Sequence, residues 1–188
     1  SLKTLIKKDK TDTTKINHLL DLAWELKYVN PDSTILLSTK AAQIAHKINW
    51  MKCKANAFGI IGVGHRLKGN YPDALENLEK ALKTDEKIGN KIGVAKRLVN
   101  IGNVYLDQGN YPKTLDSYLK ALKIADDLKL SQLQINILGS IGNVYGYGND
   151  DKMALDYFLK SLTLSKKTGD VNEEARCYER IGIIYSRK

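Results

Sequence analysis

Asn100-Ile101-Gly102-Asn103-Val104-Tyr105 is reproduced almost residue for residue by Ser140-Ile141-Gly142-Asn143-Val144-Tyr145, 40 positions later. The Ile-Gly pair extends both ways, to Ile61-Gly62 and Ile181-Gly182, at the same step of 40. A second landmark keeps that step: Lys80-Ala81-Leu82, Lys120-Ala121-Leu122 and Lys160-Ser161-Leu162, with Lys40-Ala41-Ala42 before them. A constant interval held this often marks an internal repeat, and it governs the reading of every shorter segment. Leu22-Ala23 precedes Ile61-Gly62 by 39, so one residue is lost in the turn Asn30-Pro31-Asp32 and the first repeat is degenerate.

Inside each half-repeat the apolar spacing is helical. Leu98, Ile101, Gly102 and Tyr105 stand at i, i+3, i+4 and i+7, and Leu115, Tyr118, Leu119 and Leu122 form a similar stripe. Between the helices lie Gly69-Asn70-Tyr71-Pro72, Gly109-Asn110-Tyr111-Pro112 and Gly148-Asn149-Asp150. Glycine supplies a left-handed helix end, and proline suits the first turn of the next helix, where its missing N–H costs nothing. Nine helices are expected, over 12–28, 32–48, 51–68, 72–88, 91–107, 112–128, 131–147, 152–168 and 171–186. They group as a degenerate repeat 12–50, repeats 51–90, 91–130 and 131–170, and a half repeat 171–188, all in one array. A helix hairpin cannot bury its apolar stripe alone, so the hairpins must stack.

Composition agrees with an ordered chain. Of its 188 residues 43% are hydrophobic, enough for a core, and no apolar run approaches the ~20 residues that cross a bilayer. The net charge of +9 raises the possibility of nucleic acid, but basic residues are interleaved with 21 acids along the whole length. Cys53 and Cys177 are far apart with no CxxC partner, and are expected to be buried thiols. The opening at Ser1-Leu2-Lys3, and a close at Ile183–Lys188 that completes a first helix without its partner, are expected of a piece of a longer protein.

Gly102, Tyr105, Tyr118 and Ala121, with Gly142, Tyr145, Phe158 and Ser161, resemble the tetratricopeptide repeat (TPR) pattern, in which a glycine lets two helices approach and aromatics fill the gap. The first full repeat departs from it with His65 in place of tyrosine and Leu78 in place of the second aromatic. The period of 40 is similar to the subgroup found in kinesin light chains, mitotic-spindle scaffolds and bacterial signalling proteins of the sensor histidine kinase or cyclase type. That resemblance implies an all-α, right-handed α-solenoid of about four and a half repeats. It implies a protein- or peptide-binding scaffold, not an enzyme, without cofactor or metal. A sensory or interaction module of a larger signalling protein is expected, on the cytoplasmic or periplasmic face of a bacterial membrane.

In the resembled family the side of each first helix opposite its packing stripe lines a concave groove. At 100° per residue the rows are Asn17, Asp21, Trp24, Tyr28; Asn56, Ile60, Val63, Leu67; Lys96, Asn100, Asn103, Asp107; Asn136, Ser140, Asn143, Tyr147; and Arg176, Arg180, Ile183, Arg187. The groove is graded from aromatic, through asparagine-rich, to cationic. Asparagine amides donate and accept, so a ladder of them pairs with the backbone of an extended peptide. Trp24, Tyr28 and Leu67 suit an apolar anchor, and Arg176 with Arg180 suits a carboxylate. The expected partner is an extended segment with an apolar and an acidic part. Against this stand solvated side chains, and coverage of Trp24 and Tyr28 by the chain's own first residues. The carboxylate clamp of chaperone-binding members is matched at Arg176, Arg180 and Asn103 but not at Ser140 and Val99.

No catalytic set emerges. Gly59-Ile60-Ile61-Gly62-Val63-Gly64 lacks the GxGxxG order and a following Lys-Ser/Thr, so close helix contact explains it better than nucleotide. His18, His46 and His65 lie on different helices, and Asp126-Asp127, Asp150-Asp151 and Glu173-Glu174 sit near helix ends, where acids cap. Self-association through the terminal helix, or a basic nucleic-acid-binding surface, are the competing readings.

Overall fold

Residues 12–186 are described by the computed structural model. Among them are nine helices and no strand: α1 (Asp12–Leu26), α2 (Pro31–Lys47), α3 (Met51–Leu67), α4 (Tyr71–Lys87), α5 (Lys91–Asp107), α6 (Tyr111–Asp127), α7 (Ser131–Tyr147), α8 (Asp151–Thr168) and α9 (Val171–Ser186). The fold is an all-α solenoid of helical repeats.

The backbone beats at half the sequence period. From α2 onward helices begin at 31, 51, 71, 91, 111, 131, 151 and 171, so one helix and its turn always take twenty residues. A left-handed residue recurs at the same interval: Asn49, Gly69, Gly89, Gly109, Lys129, Asn149 and Gly169, with φ between 52° and 74°. The expectation at Gly148 is therefore displaced by one. Gly148 has φ −80°, and the left-handed position falls on Asn149 (φ 59°), a residue that tolerates this region because its short amide bonds locally. Side-chain caps start several helices: Asn30 accepts from the Ser33 N–H at 2.9 Å, Asn110 from Lys113 at 3.2 Å and Asp150 from Met153 at 3.0 Å. The degenerate first repeat ends α1 at Leu26, two residues earlier than the periodicity predicts.

Packing follows columns at the 40-residue step. On the second helices Thr34, Ala74, Thr114 and Ala154 are buried, as are Ser38, Leu78, Tyr118 and Phe158, then Ala41, Ala81, Ala121 and Ser161, then Ala45, Asp85, Ala125 and Ser165. The predicted stripe on α6 is thereby corrected by rotation. Leu119 is exposed, Leu115 and Leu122 are half-buried, and Thr114, Ser117, Tyr118, Ala121 and Ala125 face inward. Small residues win these positions because neighbouring backbones are close, and most of their hydroxyls are satisfied: Thr34 donates to the Ala23 carbonyl at 2.9 Å and Ser161 to that of Ile135 at 3.1 Å, while Ser38 Oγ has no partner among the described residues. The lysines of the second landmark are surface partners of acids one turn back, Lys80 with Glu76, Lys120 with Asp116 and Lys160 with Asp156. Such exposed pairs contribute little to stability.

The chain divides into two compact units, 1–104 and 105–188. In the first, α3 packs against α2 and α4 and, more lightly, α1. The glycine run of α3 serves this contact, since a Cβ on Gly62 would lie 2.6 Å from Leu78 Cγ and one on Gly64 2.8 Å from Ile35 Cγ1. In the second, α7 packs on α6 and α8, and α9 on α8. Cys53 and Cys177 are buried free thiols. Burial pushes the Cys53 thiol above its usual range, with nearby Lys52 opposing.

Candidate binding faces

In residues 1–104, α3 carries Asn56 and α5 carries Lys96 one repeat later, both exposed. These two predicted groove residues line one cavity of about 360 Å³, together with Lys52, Asn90 and Arg97. Arg97 was not expected there. Its guanidinium is nearly buried, donates from Nε to Asp85 at 3.1 Å and from Nη2 to Asn56 at 3.4 Å. Asp85 is wholly buried and also accepts from the Asn90 amide at 2.7 Å. Gly59 makes the room: a Cβ there would lie 2.1 Å from Arg97 Nη1.

Other predicted residues of this unit are spread along its first helices. Trp24 and Tyr28 are exposed, with Lys27 Nζ 4.0 Å from one ring centroid and 4.7 Å from the other. The suggestion that leading residues cover this pair concerns positions outside the described residues. Leu67, Asn100 and Asn103 are half-buried. Ile60 and Val63, placed in the same rows, are core residues. A first helix inside an array meets neighbours on both sides, so its buried arc is wider than a single stripe.

In residues 105–188 the structure brings Asn143, Tyr147 and Arg180 together around a cavity of about 170 Å³, floored by Phe158 and Ile184. The Arg180 guanidinium lies 5.8 Å from the Phe158 ring centroid and passes over Gly139, where a Cβ would be 2.5 Å from Nη1. Tyr147 is exposed and stacks on Tyr111 at 6.5 Å between centroids. Asn136 is exposed. Arg176 is exposed and paired with Glu173 on its own helix. Glu173 itself is buried.

Among the described residues no group of three or more His, Cys, Asp or Glu could hold a metal, and no helix is long and apolar enough to cross a membrane. The signal for the buried pair was present in the sequence. Position 97 is otherwise Ala57, Ile137 and Cys177, and position 85 otherwise Ala45, Ala125 and Ser165, so opposite charges replace apolar or small residues at two columns at once.

Solved structures show the same fold. The apo form of RapI superimposes with a TM-score of 0.80 at 18% identity, over 97% of this chain and 67% of that one. Aspartyl phosphate phosphatase F from Bacillus subtilis gives 0.85 at 15% identity, over 94% of this chain and 46% of that one. A signal transduction ATPase with numerous domains from Pyrococcus horikoshii, with a tetratricopeptide repeat sensor, gives 0.80 at 22% identity, over 97% of this chain and 29% of that one. The chain thus spans less than half the length of the latter two. No curated protein matches. The family model described as tetratricopeptide repeat matches residues 53–127 and again 93–167, together more than half of the chain, and the chain belongs to that family.

Proposed function

We propose that the chain is a protein-interaction scaffold that holds an extended peptide segment along the first helices of its repeats. The observation that carries this reading is the gathering of Asn143, Tyr147 and Arg180 around one cavity. An amide that pairs with backbone, an aromatic anchor and a guanidinium are the groups an extended ligand needs. Asn56 and Lys96 around the cavity of the first unit repeat the theme. Fold neighbours add context, since one is a Rap protein complexed with competence and sporulation factor and another carries its repeats as a sensor. A sensory or interaction module of a larger bacterial signalling protein is the setting we infer.

The test is an array of random extended peptides probed with the chain, followed by Asn103→Ala with Asn143→Ala, which occupy one repeat position. Binding should weaken while helicity and melting hold. Unchanged affinity in the double variant would remove the asparagine face from the reading.

A second reading, self-association, is favoured by exposed Tyr178, Ile183 and Tyr185 on α9. Sedimentation over a concentration series decides it, and a strictly monomeric chain ends it.

A further inference from the structure

In residues 105–188 the rings of Tyr145 and Tyr157 stack, with centroids 5.5 Å apart and planes inclined by 14°. Two repeats earlier the same positions carry His65 and Asn77, and neither replaces the lost rings. A cavity of about 470 Å³ lies there, lined by Ile35, Phe58, Ile61, His65 and Asn77 among others. Its size falls within the few hundred Å³ of small-molecule sites, and its make-up is theirs: mostly apolar walls with a few placed polar groups.

The polar groups are specific. His65 Nδ1 is buried with no hydrogen-bond partner, and the nearest carboxylate oxygen, on Asp73, is 3.7 Å away, beyond hydrogen-bond length. That nitrogen is closed to solvent, so the polar group of a ligand in the open cavity meets Asn77 instead. Asn77 gives one amide N–H to the Asp73 carbonyl at 2.8 Å, which leaves its side-chain oxygen as an acceptor. Phe58 offers a ring, with Lys54 Nζ 5.9 Å from its centroid.

We propose that this cavity binds a small planar aromatic ligand of the phenol class. The ring takes the place that an aromatic pair fills in the later repeat and lies against Phe58, and the hydroxyl donates to the Asn77 side-chain oxygen. The site is independent of the peptide-holding faces, since it shares no lining residue with either of their cavities.

The probe is p-cresol, the tyrosine side chain as a free molecule, titrated into the full chain and followed by ¹H–¹⁵N NMR. It should shift the amides around Phe58, His65 and Asn77, and bind about fivefold more tightly than 4-methylcyclohexanol, which keeps the hydroxyl and loses the ring. Toluene, which keeps the ring and loses the hydroxyl, should also bind more weakly. His65→Tyr with Asn77→Tyr rebuilds the later repeat's pair, and is expected to abolish p-cresol binding and raise the melting temperature. Asn77→Tyr alone, at a half-buried position, should weaken binding if the double variant fails to fold. Equal affinity for 4-methylcyclohexanol, shifts scattered away from these residues, or undiminished binding in the tyrosine variants would each overturn the proposal.

Discussion

Arg97 and Asp85 form an ion pair, 3.1 Å from Nε to Oδ2, at side chains 8% and 0% exposed, in columns that other repeats fill with apolar or small residues. Breaking a buried pair strands a charge, whereas replacing both partners removes the problem. Asp85→Ala alone should therefore cost about 3 kcal/mol in urea unfolding. Asp85→Ala with Arg97→Ile, the residues of the next repeat, should return to within about 1 kcal/mol of the parent. A double variant as unstable as the sum of the singles would contradict this.

Gly142 and Gly182 hold the same repeat position and predict opposite outcomes. A Cβ on Gly142 would lie 2.5 Å from Phe158 Cε1, on a buried ring, while nothing stands within 4 Å of one on Gly182. Gly142→Ala should destabilise by about 1–2 kcal/mol, overpacking outweighing the gain in helix propensity. Gly182→Ala should stabilise by up to about 1 kcal/mol. Thermal melts of the two variants check the contrast.

Lys129, at φ 52°, is a left-handed residue with neither glycine's freedom nor asparagine's local bonding. Lys129→Gly should raise stability by about 0.5–1 kcal/mol, the relief of the Cβ clash less glycine's extra entropy loss. Chemical denaturation measures it, and a loss of stability would count against this geometry.

The Asp170 carboxyl is held below its usual range, first by the Glu173 N–H and then by the Gln132 amide. A carboxyl with a depressed folded pKa contributes stability above its unfolded pKa, and that contribution disappears as pH falls through the folded value. Asp170→Asn keeps a capping oxygen and removes the titration. Its melting temperature should fall less steeply than the parent's on acidification below the ordinary aspartate range. Identical acid limbs would show that the cap does not titrate with unfolding.

The repeat was legible because Ile-Gly recurs at a fixed step, and at Gly62 and Gly142 a Cβ would strike the buried side chains of Leu78 and Phe158. The facing of the second helices was not, since leucines at 115, 119 and 122 make as good an apolar stripe as the true inward set around Tyr118. Hydrophobic pattern favours large side chains, while the close contact selects Thr114, Ser117 and Ala121. Of the candidate groove, Asn143, Tyr147 and Arg180 converge, but the pairing of Arg176 with Glu173 depends on rotamers that spacing does not reveal. The Asp85–Arg97 pair could have been found by comparing columns between repeats instead of reading each helix alone.

Equal spans between bends have a consequence for how such a chain can grow. Since every bend after the first recurs at twenty residues, inserting or excising one such span would leave all the corners geometrically sound. It would nonetheless present a second-helix surface, with its Thr, Ser and Ala knobs, where a first-helix surface is required. Only duplication or loss in pairs preserves the alternation, so the number of hairpins can drift while the number of helices stays odd or even as it was.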